Sequence, residues 1–92
     1  MKEKVIHEQE NERFVIYIND KEAFVEYNIT EDVLNLYHTY TEPELRGKGL
    51  AAQVVRAAIE FAKENNLKVV PTCSYVQAFI KRNDEYKELV AD

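Results

Sequence analysis

The stretch Glu44-Leu45-Arg46-Gly47-Lys48-Gly49-Leu50-Ala51 holds both glycines of the 92-residue chain. Glycine accepts positive φ and lets a ligand come close to the backbone. Apolar residues recur at helical spacing straight after it, so a helix opens near Gly49. A helix start carries N–H groups with no intrahelical partner and the positive end of a dipole, and together these attract phosphate. Arg46 and Lys48 put positive charge at the same place. On residues alone two readings stay open: a tight turn before a capped helix, or a phosphate site. The spacing is not a P-loop, which needs G-x-x-x-x-G-K-[ST]. It also lacks the third glycine of the dinucleotide fingerprint.

Downstream, Leu50, Val54, Ala58 and Phe61, with Val55 and Ile59, make a wide apolar face. Gln53, Arg56, Glu60, Lys63 and Glu64 make the polar one, so the spacing predicts an amphipathic helix over 49–65. Residues 67–70 read as a short strand stopped by Pro71, and residues 75–82 as a second short helix capped by Ser74 or Thr72. Residues 86–90 read as a last helical turn or an edge strand.

Upstream the period is two. Residues 14–18 are β-branched and aromatic and end at Asn19-Asp20-Lys21, a hairpin signal. Residues 22–29 alternate, with Ala23, Val25, Tyr27 and Ile29 on one face and Phe24 on the other. After Thr30-Glu31-Asp32, residues 33–40 form another strand, with Leu34, Leu36, His38 and Tyr40 expected to share a face. A short first strand over 5–9 completes an antiparallel four-stranded meander. The expected class is α+β: meander, helix, fifth strand, short C-terminal helix, as one domain over 1–92.

Composition bounds the function. Hydrophobic residues are 46% and aromatics 11%, which argues against disorder. The formal charge of −5 weighs against nucleic acid as a partner. A single cysteine forms no internal disulfide. Residues 1–12 lack a signal-peptide core, and residues 50–62, broken by Gln53, Arg56 and Glu60, are too short and polar to span a bilayer. A cytoplasmic protein without a membrane partner is the expectation. The acidic residues of the first half read as a solvated sheet surface rather than a lure for cationic amines. His7 reads as solvated, and Tyr17, Tyr27, Tyr37 and Tyr40 as sheet-face packing. No ligand spacing supports a metal site from His7, His38 and Cys73.

Arg46-x-x-Gly49-x-Ala51 resembles the [Q/R]-x-x-G-x-[G/A] pyrophosphate loop of the GCN5-related N-acetyltransferases. It stands where that family has it, after an antiparallel strand and opening a helix. His38-Thr39-Tyr40 before the loop and Pro71-Thr72-Cys73-Ser74-Tyr75-Val76 after the helix are similar to a small single-domain subfamily. The resemblance covers about residues 14–90.

That resemblance implies the acyl-CoA N-acyltransferase fold and acetyl-CoA, or coenzyme A, as the cofactor. Backbone amides of Arg46, Gly47, Lys48, Gly49, Leu50 and Ala51 would hold its pyrophosphate. The thioester would end near His38 and Cys73, and Asn83 and Lys87 would meet the nucleotide end. The implied reaction is acetyl transfer to an unidentified amine. Cys73 would be acyl acceptor or acyl contact, and His38 the base on the thiol or on the incoming ammonium. Two departures stand out. Residues 5–14 leave no room for the two helices that shape the family's acceptor site. The usual tyrosine proton donor falls at Ile80. The alternatives are a module that binds acetyl-CoA without efficient transfer, and an interaction protein that keeps only the fold.

Overall fold

Five strands form one sheet in sequence order: β1 (Ile6–Glu8), β2 (Arg13–Ile18), β3 (Lys21–Thr30), β4 (Val33–Thr41) and β5 (Lys68–Pro71). The first four are antiparallel, and β5 runs parallel to β4. A parallel neighbour requires a crossover, and α1 (Leu50–Glu64) supplies it. A second helix, α2 (Ser74–Arg82), follows β5. The computed structural model describes residues 4–91. None of its helices in that span is long and apolar enough to cross a membrane.

Both hairpin turns place one residue in the left-handed region, which asparagine tolerates and glutamate seldom adopts. Asn19 (φ 58°) turns β2 into β3, and Glu31 (φ 57°) turns β3 into β4. α1 buries Leu50, Val54, Val55, Ala58, Ile59 and Ala62. They pack on the inner face of the sheet, where Phe14, Ile16, Val25, Tyr27 and Leu36 are also buried. Ala58 and Ala62, fully buried, let the helix lie close to the strands. Val76, Phe79 and Ile80 join α2 to the same core.

Several expectations need correction. The first strand is shorter than 5–9, because Gln9–Asn11 form a 3-10 turn that Glu12, in the left-handed region, closes. β5 includes Pro71, which pairs with Leu36 at the strand end and has no N–H to lose there. The N-cap of α2 is Cys73, not Ser74 or Thr72, and no side chain caps it. The C-terminal segment is both things expected of it: a 3-10 helix at Asp84–Leu89, then a parallel bridge from Val90 to Val69.

The largest correction concerns β4. Glu26 pairs with His38, but the next residue, Tyr27, pairs with Leu36. Tyr37 is therefore an extra residue, a β-bulge, with no partner on β3. The bulge exchanges the two faces of the strand beyond it. Leu34 and Leu36 point into the core, whereas His38 and Tyr40 share the outer face with Glu26 and Phe24. Thr39, paired with buried Val25, takes the inner face instead.

Candidate functional site

β4 and β5 pair only from Val33↔Lys68 to Leu36↔Pro71. One further bond, Cys73 N–H to Leu36 C=O at 3.0 Å, closes the paired segment. Beyond it the chain after β5 turns into α2 while β4 runs on to Thr41, and the two part. The edge of β4 from Tyr37 to Thr41 thus has no β5 partner. The opening leads to a cleft of about 410 Å³ lined by Thr39, Tyr40, Thr41, Arg46, Gly47, Gly49, Leu50, Ala51 and Tyr75.

The outer end of the cleft is the start of α1. Gly49 is its N-cap, without a side-chain hydrogen bond and with no acidic residue in the first turn. The free amides there face no competing carboxylate. Gly47 (φ 83°) and Gly49 (φ 76°) both adopt the left-handed backbone that glycine favours. A Cβ built on either would meet no heavy atom within 4 Å, so both open onto free space. These features fit a bound pyrophosphate. Arg46 lines the cleft, and its Nε donates to Thr41 C=O at 2.9 Å. Lys48 is exposed beside it but does not line the cleft.

Thr39 and Tyr75 line the inner end, and Cys73 touches Thr39 without itself lining the cleft. Cys73 Sγ lies 3.5 Å from Thr39 Oγ1. Burial pushes the thiol up, but hydrogen bonding from Thr39 and the amides of Val76 and Tyr75 outweighs it and lowers the thiol below its ordinary value. The donors are the first amides of α2, the environment that favours a thiolate. Cys73 is half-buried and packs against the core.

His38 is not brought against Cys73. It is exposed on the outer face, where its ring meets Phe24 edge-on at 6.0 Å. Asn83 caps α2, donating from Nδ2 to Phe79 C=O at 2.8 Å and accepting from Arg56 at 3.4 Å. Lys87 pairs with Asp84 at 2.9 Å. Neither lines the cleft. Ile80, at the position of the missing proton donor, is 5% exposed in the core.

Two residues of the site had no role in the sequence reading. Thr39 was hidden because strict alternation put it on the wrong face. Tyr75 stands five residues before Ile80 on α2 and lines the cleft. Burial raises its phenol above the ordinary value, so it stays protonated near neutrality. The signal for it was the aromatic residue two positions after Cys73 at a helix start.

His7 is also not solvated. It stacks on Phe14 at 4.0 Å, meets Phe61 edge-on at 4.7 Å, and shares a 2.6 Å hydrogen bond with Tyr27 Oη. Tyr27 is buried beside the half-buried His7, whereas Tyr17, Tyr37 and Tyr40 are exposed.

A profile of the GCN5-related N-acetyl-transferase family matches residues 13–89. The chain belongs to this family. Among its relatives, Protein NATD1 of Danio rerio is 31% identical over 83 residues, covering 87% of this chain and 76% of that one. Protein NATD1 of Homo sapiens is 29% identical over 83 residues, covering 87% and 74%. In structure the chain is similar to a GCN5-like protein from Staphylococcus aureus, solved by NMR, with a TM-score of 0.75 and 26% identity. That likeness covers 96% of this chain and 87% of the other. The mixed α+β fold of this chain, with its five-stranded sheet, is therefore that of a family member.

Proposed function

We propose that the protein moves an acetyl group from acetyl-CoA to a primary amine. One observation carries this reading: a single cleft joins the uncapped start of α1 to Thr39 and Tyr75, and Thr39 in turn touches Cys73, which lies outside the lining. Bound acetyl-CoA would supply the activated acetyl thioester. The amides of Gly47, Gly49, Leu50 and Ala51, with Arg46, bind its pyrophosphate. The unpaired edge of β4 offers backbone groups to its amide-bearing arm.

Two routes share these residues. In the covalent route, Cys73 Sγ attacks the acetyl carbonyl. An S–C bond forms to Cys73, the C–S bond to coenzyme A breaks, and the departing sulfur takes a proton from Tyr75 or solvent. The amine then attacks the acetyl-cysteine, a C–N bond forms, and Cys73 leaves as thiolate. In the direct route the amine attacks the thioester itself and Cys73 packs against the acetyl methyl. In both, the ammonium must lose a proton before attack and a second one afterwards. His38, on the outer face, serves the amine and not the thiol, in contrast to one of the two roles considered for it above.

The test is acetyl-CoA with a panel of amines. Sustained turnover above the uncatalysed rate supports transfer. Binding of acetyl-CoA with no turnover for any amine would reduce the protein to a binding module. Turnover unchanged in Cys73→Ala would remove the covalent route.

A further inference from the structure

The walls of the cleft are hydroxyls, backbone and apolar side chains, with Arg46 as their charged member. Among the described residues neither a carboxylate nor an imidazole lines it. The groups around Cys73 are neutral as well. Its N–H donates to Leu36 C=O at 3.0 Å, and its C=O accepts from Gln77 N–H at 3.1 Å. Thr39 and the amides of Tyr75 and Val76 meet the sulfur. Beside it Thr72 Oγ1 donates to Asn35 Oδ1 at 2.5 Å, and Gln77 Nε2 donates to Pro71 C=O at 3.0 Å.

The groups that could serve as a base stand elsewhere. His38 is exposed on the outer face against Phe24, where it can meet an amine only before entry. Glu26 lies on β3, with Arg13 across from it on one side and His38 on the other. Cys73 bonds β4 from the opposite edge, so two strand spacings, about 10 Å, separate it from Glu26. The charges that do reach the inner end are positive. Arg82 acts on the Tyr75 phenol. The first amides of α2 bring the positive end of its dipole to Cys73. Once the sulfur carries an acetyl group, no anion among the described residues answers that field.

We propose that the acceptor reaches the acetyl group as a neutral, weakly basic amine, of the arylamine or alkoxyamine kind, and not as an alkylammonium. This rests on the transferase reading and specifies its substrate class. An alkylamine with an ordinary value of about 10.4 is free base in roughly one molecule of a few thousand at pH 7. A site without a base uses that fraction alone. A weakly basic amine arrives with its lone pair free, and the positive field does not repel it. The nitrogen attacks the acetyl carbonyl, a C–N bond forms, and the C–S bond breaks with its electron pair on sulfur. The spare N–H proton passes through water to that sulfur, on Cys73 or on coenzyme A.

The test measures kcat/KM for the amine at saturating acetyl-CoA, with the spontaneous reaction subtracted and the acetylated product read by chromatography. The probes are aniline and methoxyamine, both neutral at pH 7, and cyclohexylamine, which matches aniline in size but is a cation there. From about pH 6.5 to 9, aniline or methoxyamine is expected to react at a level rate, while cyclohexylamine climbs about 10-fold per pH unit with its free base. At pH 7 the better of the two neutral amines should outpace cyclohexylamine about 10-fold or more, since the free-base fraction dominates. Preference for aniline or for methoxyamine identifies which kind of weakly basic amine the site takes. A cyclohexylamine rate that levels off within this range would reveal a base on the protein and overturn the proposal. So would cyclohexylamine outpacing both neutral amines at pH 7. If acetyl-CoA raises Tm but none of the three amines is acetylated, the transferase reading falls and the acceptor class falls with it.

Discussion

Thr39 Oγ1 and Cys73 Sγ, 3.5 Å apart, join β4 to the start of α2 across the point where β4 and β5 separate. The contact exists because Tyr37 is an extra residue in β4. Without the bulge Thr39 would face outward, and the thiol would lose its side-chain partner. Removing the hydroxyl with Thr39→Val should therefore raise the Cys73 pKa. A bond worth about 1 kcal/mol corresponds to roughly half to one pKa unit. The rate of alkylation by iodoacetamide, followed against pH, should show its midpoint move up and its rate at neutral pH fall. A midpoint that stays put or moves down would separate the thiol from Thr39.

Gly49 has φ 76°, and a Cβ there would meet nothing within 4 Å. Gly49→Ala should thus cost backbone strain alone, about 1–2 kcal/mol. For a domain of this size that is a fall in Tm of several degrees. Gly49→Glu adds a carboxylate where the pyrophosphate is read to lie, and coenzyme A affinity should fall much further than in the alanine variant. Equal affinity in the two variants would move the phosphate site elsewhere.

How much of this was legible in the sequence depends on the element. The meander, the hairpin turns, α1 and the glycine loop follow from period, turn residues and helix signals that act locally. Beyond Leu36 the reading failed, because alternation is only as good as its register. One bulged residue, Tyr37, moved His38 and Tyr40 to one face and Thr39 to the other. Nothing in Leu36-Tyr37-His38-Thr39-Tyr40 marks which residue will bulge. Tyr75 was missed for another reason. The expected proton-donor position falls five residues later on α2, where Ile80 packs in the core. His7 was misread because the stacking partners Phe14 and Phe61 and the hydroxyl of Tyr27 come from three distant segments.

His7 and Glu8, neighbours on β1, should give stability two separate pH dependences. Burial lowers His7 below its ordinary 6.5. The unfolded chain then binds the proton more readily, so this contribution is present above pH 6.5 and is lost as pH falls toward the folded value. Glu8 is held down to about 2, by hydrogen bonds from Tyr17, Arg13 and Asn11. Its contribution is present above its ordinary 4.5 and fades as pH falls from there toward 2. Urea unfolding from pH 8 to 3 should show both declines. His7→Phe should flatten the upper one and leave the lower; flattening of neither would contradict the burial argument.

Tyr75→Phe keeps the ring in the cleft wall and removes the only hydroxyl α2 offers there among the described residues. If the phenol donates to the departing sulfur, transfer should slow about 100-fold, the lower range for proton-transfer catalysis. Coenzyme A affinity should stay near wild type. Steady-state kinetics beside calorimetric binding distinguishes the two. An unchanged rate would assign the proton to solvent.

Thermal unfolding with coenzyme A and then acetyl-CoA, with intact-mass measurement of the second sample, tests the central claim most directly. Ligand at about 100 times its dissociation constant adds roughly 2.7 kcal/mol, an easily seen rise in Tm. That rise is expected with both ligands, together with its loss in Gly49→Glu and, on the covalent route, one acetyl group on Cys73. No rise with either ligand at any concentration would mean that the cleft between β4 and α1 does not hold coenzyme A, and the proposed transfer would fall with it.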